Sequence, residues 1–158
     1  GTVIGEYQGA KVVAVAGHDT QSAVAAMPAQ NENSAFLSCG TWSLFGCELD
    51  APVLTAQSRE AEMSNELGAN GKINYLKNIT GLWLIQESRR QWKREGKEYS
   101  FGEIAAMAEQ AEPMKCFIDV NAPQFAAPGD VPERIREYCR ETGQFVPQSV
   151  GEVARCIY

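Results

Sequence analysis

Three consecutive polar residues, His18, Asp19 and Thr20, follow a run of small apolar residues. Residues 12–16 predict a buried strand, and residues 21–27 predict the helix that comes after it. The polar residues are therefore expected at the carboxyl end of a strand, where open α/β sheets bind their ligands. A carboxylate held at such a junction can act as a general base toward a substrate hydroxyl.

Asp19 has a second explanation in the sequence. Asp is favoured as a helix N-cap, where it contributes about 1 kcal/mol to helix stability. Thr20 can cap the same helix, so Asp19 is not required for that task. The residues alone leave both a catalytic base and a helix cap open.

A second stretch that could do chemistry is the turn Gly40-Thr41, between the apolar runs 34–39 and 42–49. The two runs predict the strands of a hairpin. A turn of small residues lets backbone N–H groups and a hydroxyl approach phosphate oxygens closely. The same composition is typical of ordinary hairpin turns, and the sequence has no Walker P-loop pattern. Phosphate binding and a plain turn both remain open.

The clearest helical pattern runs from residue 78 to residue 95. Asn78 is placed as its N-cap, and Gln86 interrupts an otherwise apolar face. A buried Gln must find hydrogen-bond partners, so Gln86 either contacts a ligand or is partly exposed. The three tryptophans are expected in the core.

Length, charge and apolar content limit the classes of protein to which this chain can belong. The 158 residues are enough for one domain with its own core, and strands early with helices late predict a mixed α/β fold. The net charge of −6 argues against nucleic-acid binding. No apolar run approaches the roughly 20 residues of a membrane span. The sequence begins without Met and stops inside a helical pattern, so we expect a piece of a longer protein.

Five cysteines are an odd number, and none forms a Cys-x-x-Cys pair. Zinc ligation is therefore poorly supported, and we predict no metal ligands. Free thiols in a reducing cytoplasm are the expected state. Cys139 and Cys156 are expected on two successive helices and could pair.

In this order along the chain, three motifs resemble those of the FGGY carbohydrate kinases. They are His18-Asp19-Thr20, then Gly40-Thr41-Trp42-Ser43, then Lys77-Asn78 followed by Gly81-Leu82-Trp83. The resemblance covers most of residues 1–95 and continues more loosely to the end. It implies an actin-like ATPase or ribonuclease H-like fold, with residues 1–158 as one partial domain, the front part of the second of two domains. The N-terminal kinase domain and the later adenosine-binding part would be absent.

The resemblance also implies roles for residues. The reaction would be ATP-dependent phosphorylation of a ketose, most similar to the family branch that acts on L-rhamnulose in rhamnose catabolism, with L-fuculose as the alternative substrate. Asp19 would be the base and would bind substrate together with His18, Thr20 and Asn78. Nucleotide contacts would come from Gly40, Thr41 and Gln86. ATP would enter with Mg²⁺ carried largely by its phosphates.

A rival hypothesis is a non-catalytic module, since actin-like domains also serve in nucleotide sensing and assembly. A degenerate homologue could lose its base and keep its turns, so the presence of Asp19 favours the kinase. The resemblance gives the chain one macromolecular partner, the missing N-terminal domain of its own protein. Without that domain we expect the isolated chain to be inactive.

Overall fold

The computed structural model describes residues 1–14, 18–31 and 33–158. The strands are β1 (Thr2–Tyr7), β2 (Ala10–Ala14), β3 (Ala35–Cys39), β4 (Trp42–Leu49), β5 (Met63–Leu67) and β6 (Ile73–Thr80). The helices are α1 (Asp19–Ala25), α2 (Ala56–Glu60), α3 (Trp83–Arg94), α4 (Phe101–Gln110), α5 (Val131–Glu141) and α6 (Val150–Ile157), with 3₁₀ turns at Ala69–Gly71 and Pro123–Phe125. The predicted mixed α/β class is confirmed.

The chain divides into two compact units. The first contains residues 1–38 and 44–78, and the second contains residues 39–43 and 79–158. The first holds most of the strands, and the second holds the four longest helices. None of the described helices is long and apolar enough to cross a bilayer.

In the first unit, β1 and β2 form a two-stranded antiparallel ribbon. Residues 12–14 lie in β2 as predicted, but every residue of this strand is exposed, so the prediction of a buried strand is wrong there. Val12 and Val13 keep 40% and 42% of their surface exposed, because a two-stranded ribbon pairs its strands edge to edge and leaves both faces uncovered. Residues 15–17 lie outside the described part of the chain.

This unit also contains most of a four-stranded sheet in the order β3-β4-β6-β5, together with α1 and α2. The predicted hairpin is confirmed, because β3 and β4 are neighbours joined through residues 40–41. A Cβ on Gly46 would lie 2.4 Å from the Tyr75 carbonyl oxygen, so glycine allows β4 to approach β6 closely. The small core of the unit consists of Val24, Phe36, Leu44 and Leu76.

The predicted helix over residues 78–95 starts too early. Strand β6 continues through Asn78 to Thr80, and α3 begins only at Trp83. The apolar residues after Asn78 fit both periods, and pairing of β6 with its neighbours in the sheet decides for the strand. Asn78 is therefore a strand residue, and the N-cap position of α3 belongs to Leu82.

The second unit is a helical layer in which α4 packs on α6 and α3 packs on α5. Capping boxes begin α4 at Ser100 and α6 at Ser149. Asp130 occupies the N-cap position of α5 but makes no side-chain capping hydrogen bond. Residues 116–120 are largely apolar but form no strand. The buried side chains of this core are Leu84, Ile85, Trp92, Ile104, Ala108, Cys116, Phe125, Val131, Ile135, Cys139, Val153 and Ala154.

Candidate functional site

The polar triplet lies at the start of α1 in the first unit. The helix begins at Asp19, two residues earlier than predicted, and His18 holds the N-cap position with an extended backbone. Neither Asp19 nor Thr20 is therefore the N-cap. The Asp19 side chain is fully exposed, and its Oδ1 accepts a hydrogen bond from the Thr20 backbone N–H at 2.8 Å. A negative charge in the first turn suits the helix dipole and leaves the outer face of the carboxylate open to a ligand.

Next to the triplet, three polar side chains form a hydrogen-bond network that the sequence did not predict. Asn74 Nδ2 donates to Gln21 Oε1, and Gln21 Nε2 donates to Glu66 Oε2. Glu66 Oε2 also lies 3.4 Å from His18 Nδ1. Gln21 is 5% exposed and Asn74 is fully buried. One signal was available: Gln21 lies one helical turn before Val24, so it is a polar residue on the apolar face of α1.

In the second unit, the structure brings Thr41 and Gln86 together. Gln86 Nε2, on α3, donates a hydrogen bond to Thr41 Oγ1 at 3.1 Å. Thr41 is exposed, and Gln86 is half-buried. A hydroxyl oxygen that accepts one hydrogen bond still has its own proton to donate. The Gln86 amide therefore holds the Thr41 oxygen while the hydroxyl proton can still be donated.

The backbone of this turn is held by the start of α3. The Leu82 N–H donates to the Gly40 carbonyl at 2.9 Å, and the Trp83 N–H donates to the Thr41 carbonyl at 3.1 Å. A Cβ on Gly81 would lie 2.4 Å from Ser43 Oγ and 2.7 Å from the Ser43 backbone nitrogen. Any larger residue at position 81 would force this turn to shift. The Gly40-Thr41 turn is thus anchored more firmly than an ordinary hairpin turn.

Asn78 and the three tryptophans are the remaining residues considered in the sequence. Asn78 is exposed on β6 and belongs to the first unit with the triplet. The three tryptophans differ in burial. Trp92 is buried and Trp83 is half-buried, whereas Trp42 is 60% exposed beside the turn. The prediction that Trp42 lies in the core is wrong. Strand β4 begins at this residue, so Trp42 lies next to the turn and keeps much of its surface open to solvent.

Three cysteines come together in the helical unit. The sulfur atoms of Cys116, Cys139 and Cys156 lie within 4.8 Å of one another, and all three are free thiols. Burial, reinforced by neighbouring Cys116, raises the pKa of Cys139 to about 11. Burial also raises the pKa of Cys156. The raised pKa values keep Cys139 and Cys156 protonated, so these thiols pack as small neutral groups within the helical core.

We expect native thiol modification to separate the cysteines by burial. At pH 8, iodoacetamide should alkylate exposed Cys39 readily and leave Cys139 unmodified, because Cys139 is inaccessible and its raised pKa keeps it protonated. Peptide mass spectrometry gives the labelled fraction at each site, and the same reaction in denaturant serves as the control. Equal labelling of Cys39 and Cys139 in the native protein would show that the cluster is not buried.

The sequence of this chain is similar to those of known proteins. A family model described as the FGGY family of carbohydrate kinases, C-terminal domain, matches residues 35–158. A rhamnulokinase of Bacteroides thetaiotaomicron is 48% identical over 147 residues, which cover 93% of this chain and 30% of that protein. A rhamnulokinase of Enterococcus faecalis is 42% identical over 168 residues, covering 100% of this chain and 33% of that protein. A rhamnulokinase of Bacillus subtilis is 45% identical over a stretch that covers 94% of this chain and 30% of that protein.

The chain therefore spans about a third of the length of the curated relatives it matches. The C-terminal domain of this family has the actin-like ATPase or ribonuclease H-like fold, so the predicted fold is confirmed. The family model covers the whole second unit, including the Gly40-Thr41 turn and Gln86, and the relatives cover nearly the entire chain. The chain belongs to the FGGY family of carbohydrate kinases.

Proposed function

We propose that this chain supplies the catalytic base and the nucleotide-binding turn of an ATP-dependent ketose kinase. The substrate we propose is L-rhamnulose, phosphorylated at its terminal hydroxyl to L-rhamnulose 1-phosphate in rhamnose catabolism. The observation that carries the proposal is the fully exposed Asp19 carboxylate in the first turn of α1. The names of relatives that are 42% to 48% identical support the choice of sugar.

Asp19 takes the proton from the sugar hydroxyl as that oxygen attacks the γ-phosphate of ATP. A carboxylate is a suitable base here because it needs to accept the proton only as the new oxygen–phosphorus bond forms. His18 and Thr20 flank the sugar, and Asn78 contacts it from β6. Most of the catalytic effect comes from holding the hydroxyl and the phosphate in line.

Gly40 and Thr41 contact the phosphates of ATP in this proposal. The Thr41 hydroxyl donates to a phosphate oxygen, while Gln86 holds it from the other side at 3.1 Å. Gly40 leaves room for the close approach of the nucleotide, because it has no side chain. Gln86 thus serves the nucleotide through Thr41.

Members of this family typically use ATP together with Mg²⁺. Mg²⁺ requires oxygen ligands, whereas the cluster of three candidate ligands found in the described ranges consists of thiols. In nucleotide sites Mg²⁺ takes most of its ligands from phosphates and water, with one or two protein carboxylates. We propose that the ion enters with the phosphates of ATP.

We further propose that residues 1–158 form part of the second domain of a cytoplasmic kinase. An N-terminal domain of the same protein would complete the site. The chain spans about a third of its relatives' length, which supports this arrangement. Alone, the 158 residues should bind sugar weakly and should not phosphorylate it efficiently.

The full-length protein is expected to consume ATP with L-rhamnulose in a coupled assay, with a lower kcat/KM for L-fuculose. A ketose site distinguishes epimers through hydroxyl contacts, since a misplaced hydroxyl leaves a buried polar group unpaired. Glycerol and D-xylulose serve as negative controls in the same assay. A preference for L-fuculose would change the sugar but keep the kinase.

The second candidate function is a nucleotide-sensing module without catalysis. It is favoured only if the full-length protein binds ATP by calorimetry but phosphorylates no ketose in the panel. Asp19 argues against it, because a sensor has no use for a base at the sugar position. Binding of ATP without turnover would therefore replace the proposed function.

A further inference from the structure

We propose that Glu66 is a positioning residue for the His18-Asp19 pair. Its carboxylate holds His18 through Nδ1, so that Nε2 faces the sugar as a hydrogen-bond acceptor beside the base. This inference rests on the proposed function for its meaning, because it names a determinant of sugar recognition at that site. Its geometry is observed independently of any activity.

The contacts of Glu66 point toward α1 from strand β5. Glu66 Oε2 lies 3.4 Å from His18 Nδ1, and the same oxygen accepts a hydrogen bond from Gln21 Nε2. The Glu66 side chain is 27% exposed, compared with 53% for His18. One carboxylate thus contacts two residues of the α1 start.

An ionised carboxylate can only accept hydrogen bonds. A neutral His18 that donates to Glu66 does so from Nδ1, which lies 3.4 Å from Oε2, and its other nitrogen then has a lone pair. His18 Nε2 lies 3.9 Å from Asp19 Oδ1, which is too far for a hydrogen bond between them. A sugar presents neighbouring hydroxyls, so one can donate to Asp19 while the next donates to His18 Nε2.

The buried half of the network keeps Glu66 in place. Gln21 Nε2 donates to the carboxylate, and Gln21 Oε1 is in turn occupied by the Asn74 amide. Gln21 and Asn74 are almost fully buried, so breaking either contact leaves a polar group without water. Rotation of the Glu66 carboxylate away from His18 would therefore cost free energy, because it would break the hydrogen bond from Gln21.

The tautomer of His18 can be read directly, because the chain contains a single histidine. Long-range ¹H–¹⁵N NMR on the ¹⁵N-labelled 158-residue chain distinguishes a protonated Nδ1 from a protonated Nε2. The spectrum is recorded at a pH where titration of the same signals shows a neutral ring. We expect Nδ1–H to dominate in the wild type, and E66Q to shift the population toward Nε2–H, the form preferred by a free imidazole.

Glu62→Gln is the matched control. Glu62 is an exposed carboxylate just before β5, and it lies 3.7 Å from Lys77 Nζ rather than near α1. This variant should leave the His18 signals unchanged. A wild-type spectrum dominated by Nε2–H, or an unchanged tautomer in E66Q, would overturn the inference. The wild-type spectrum decides the matter even if E66Q fails to fold.

Kinetics of the full-length protein give the second readout. E66Q should raise the KM for the sugar about tenfold, as expected for loss of one well-placed hydrogen bond, and leave the KM for ATP within about twofold. Adding Glu66→Gln to His18→Ala should cause no further rise, because Glu66 acts through His18. Equal losses toward sugar and ATP would indicate a merely structural role. Absence of any ketose phosphorylation by wild type would instead refute the proposed function and leave the NMR result standing.

Discussion

Replacing Asp19 by Asn in the full-length protein is expected to lower kcat for sugar phosphorylation by about 10² to 10⁴, the usual contribution of a general base. Asn keeps the size of the side chain but cannot accept the proton of the attacking hydroxyl. The Asp19 side chain is fully exposed, so its replacement should cost little stability. The measurement is a coupled ATP-consumption assay, with ATP affinity and thermal unfolding recorded on the same samples.

Asp130→Asn is the matched control for this experiment. Asp130 also stands at the start of a helix, and it makes no side-chain capping hydrogen bond there. Its φ of 52° is tolerated by Asn, so the control should fold normally and retain full activity. If D19N retains wild-type kcat, Asp19 serves only the helix dipole, and the proposed base is wrong.

The second large effect is expected at Thr41. Thr41→Val preserves the shape of the side chain but removes the hydroxyl that we propose donates to a phosphate of ATP. A hydrogen bond to a charged group contributes about 1.5–3 kcal/mol, which corresponds to roughly a 10- to 100-fold loss in kcat/KM for ATP. Steady-state kinetics with varied ATP and saturating sugar measure this loss, and Thr41→Ser should recover most of it.

Thr142→Val provides the control for Thr41. The Thr142 hydroxyl donates to the Tyr138 carbonyl at the end of α5 and is exposed, so its removal should leave the ATP kinetics unchanged. The Gln86 contact offers a further check. Gln86→Leu should weaken ATP use in the wild type but add little to T41V, because Gln86 orients the hydroxyl that T41V lacks. Additive losses would mean that the two residues act separately.

Local sequence signals determined several elements of this protein. Ser100 caps α4 through its side chain, and Gly143, with a φ of 67°, directly follows the C-cap of α5. The apolar runs on either side of Gly40-Thr41 predicted the hairpin. These signals work because a cap or a tight turn is decided within a few residues. The three ordered motifs likewise carried the family resemblance without any coordinates.

Tertiary structure alone decided the features that depend on distant residues. Strand β6 extends past Asn78 because it pairs within the sheet, and sheet pairing overrides a local helical pattern. Gln21 meets Glu66 across 45 positions and Asn74 across 53, and the local sequence shows only that Gln21 needs a partner, without indicating which residue it is. The sequence thus determined which residues could do chemistry and the short segments that hold them. Only the folded chain decided that Glu66 faces His18 and that Gln86 holds Thr41, because hydrogen bonds between such distant side chains form only once the strands and helices have packed.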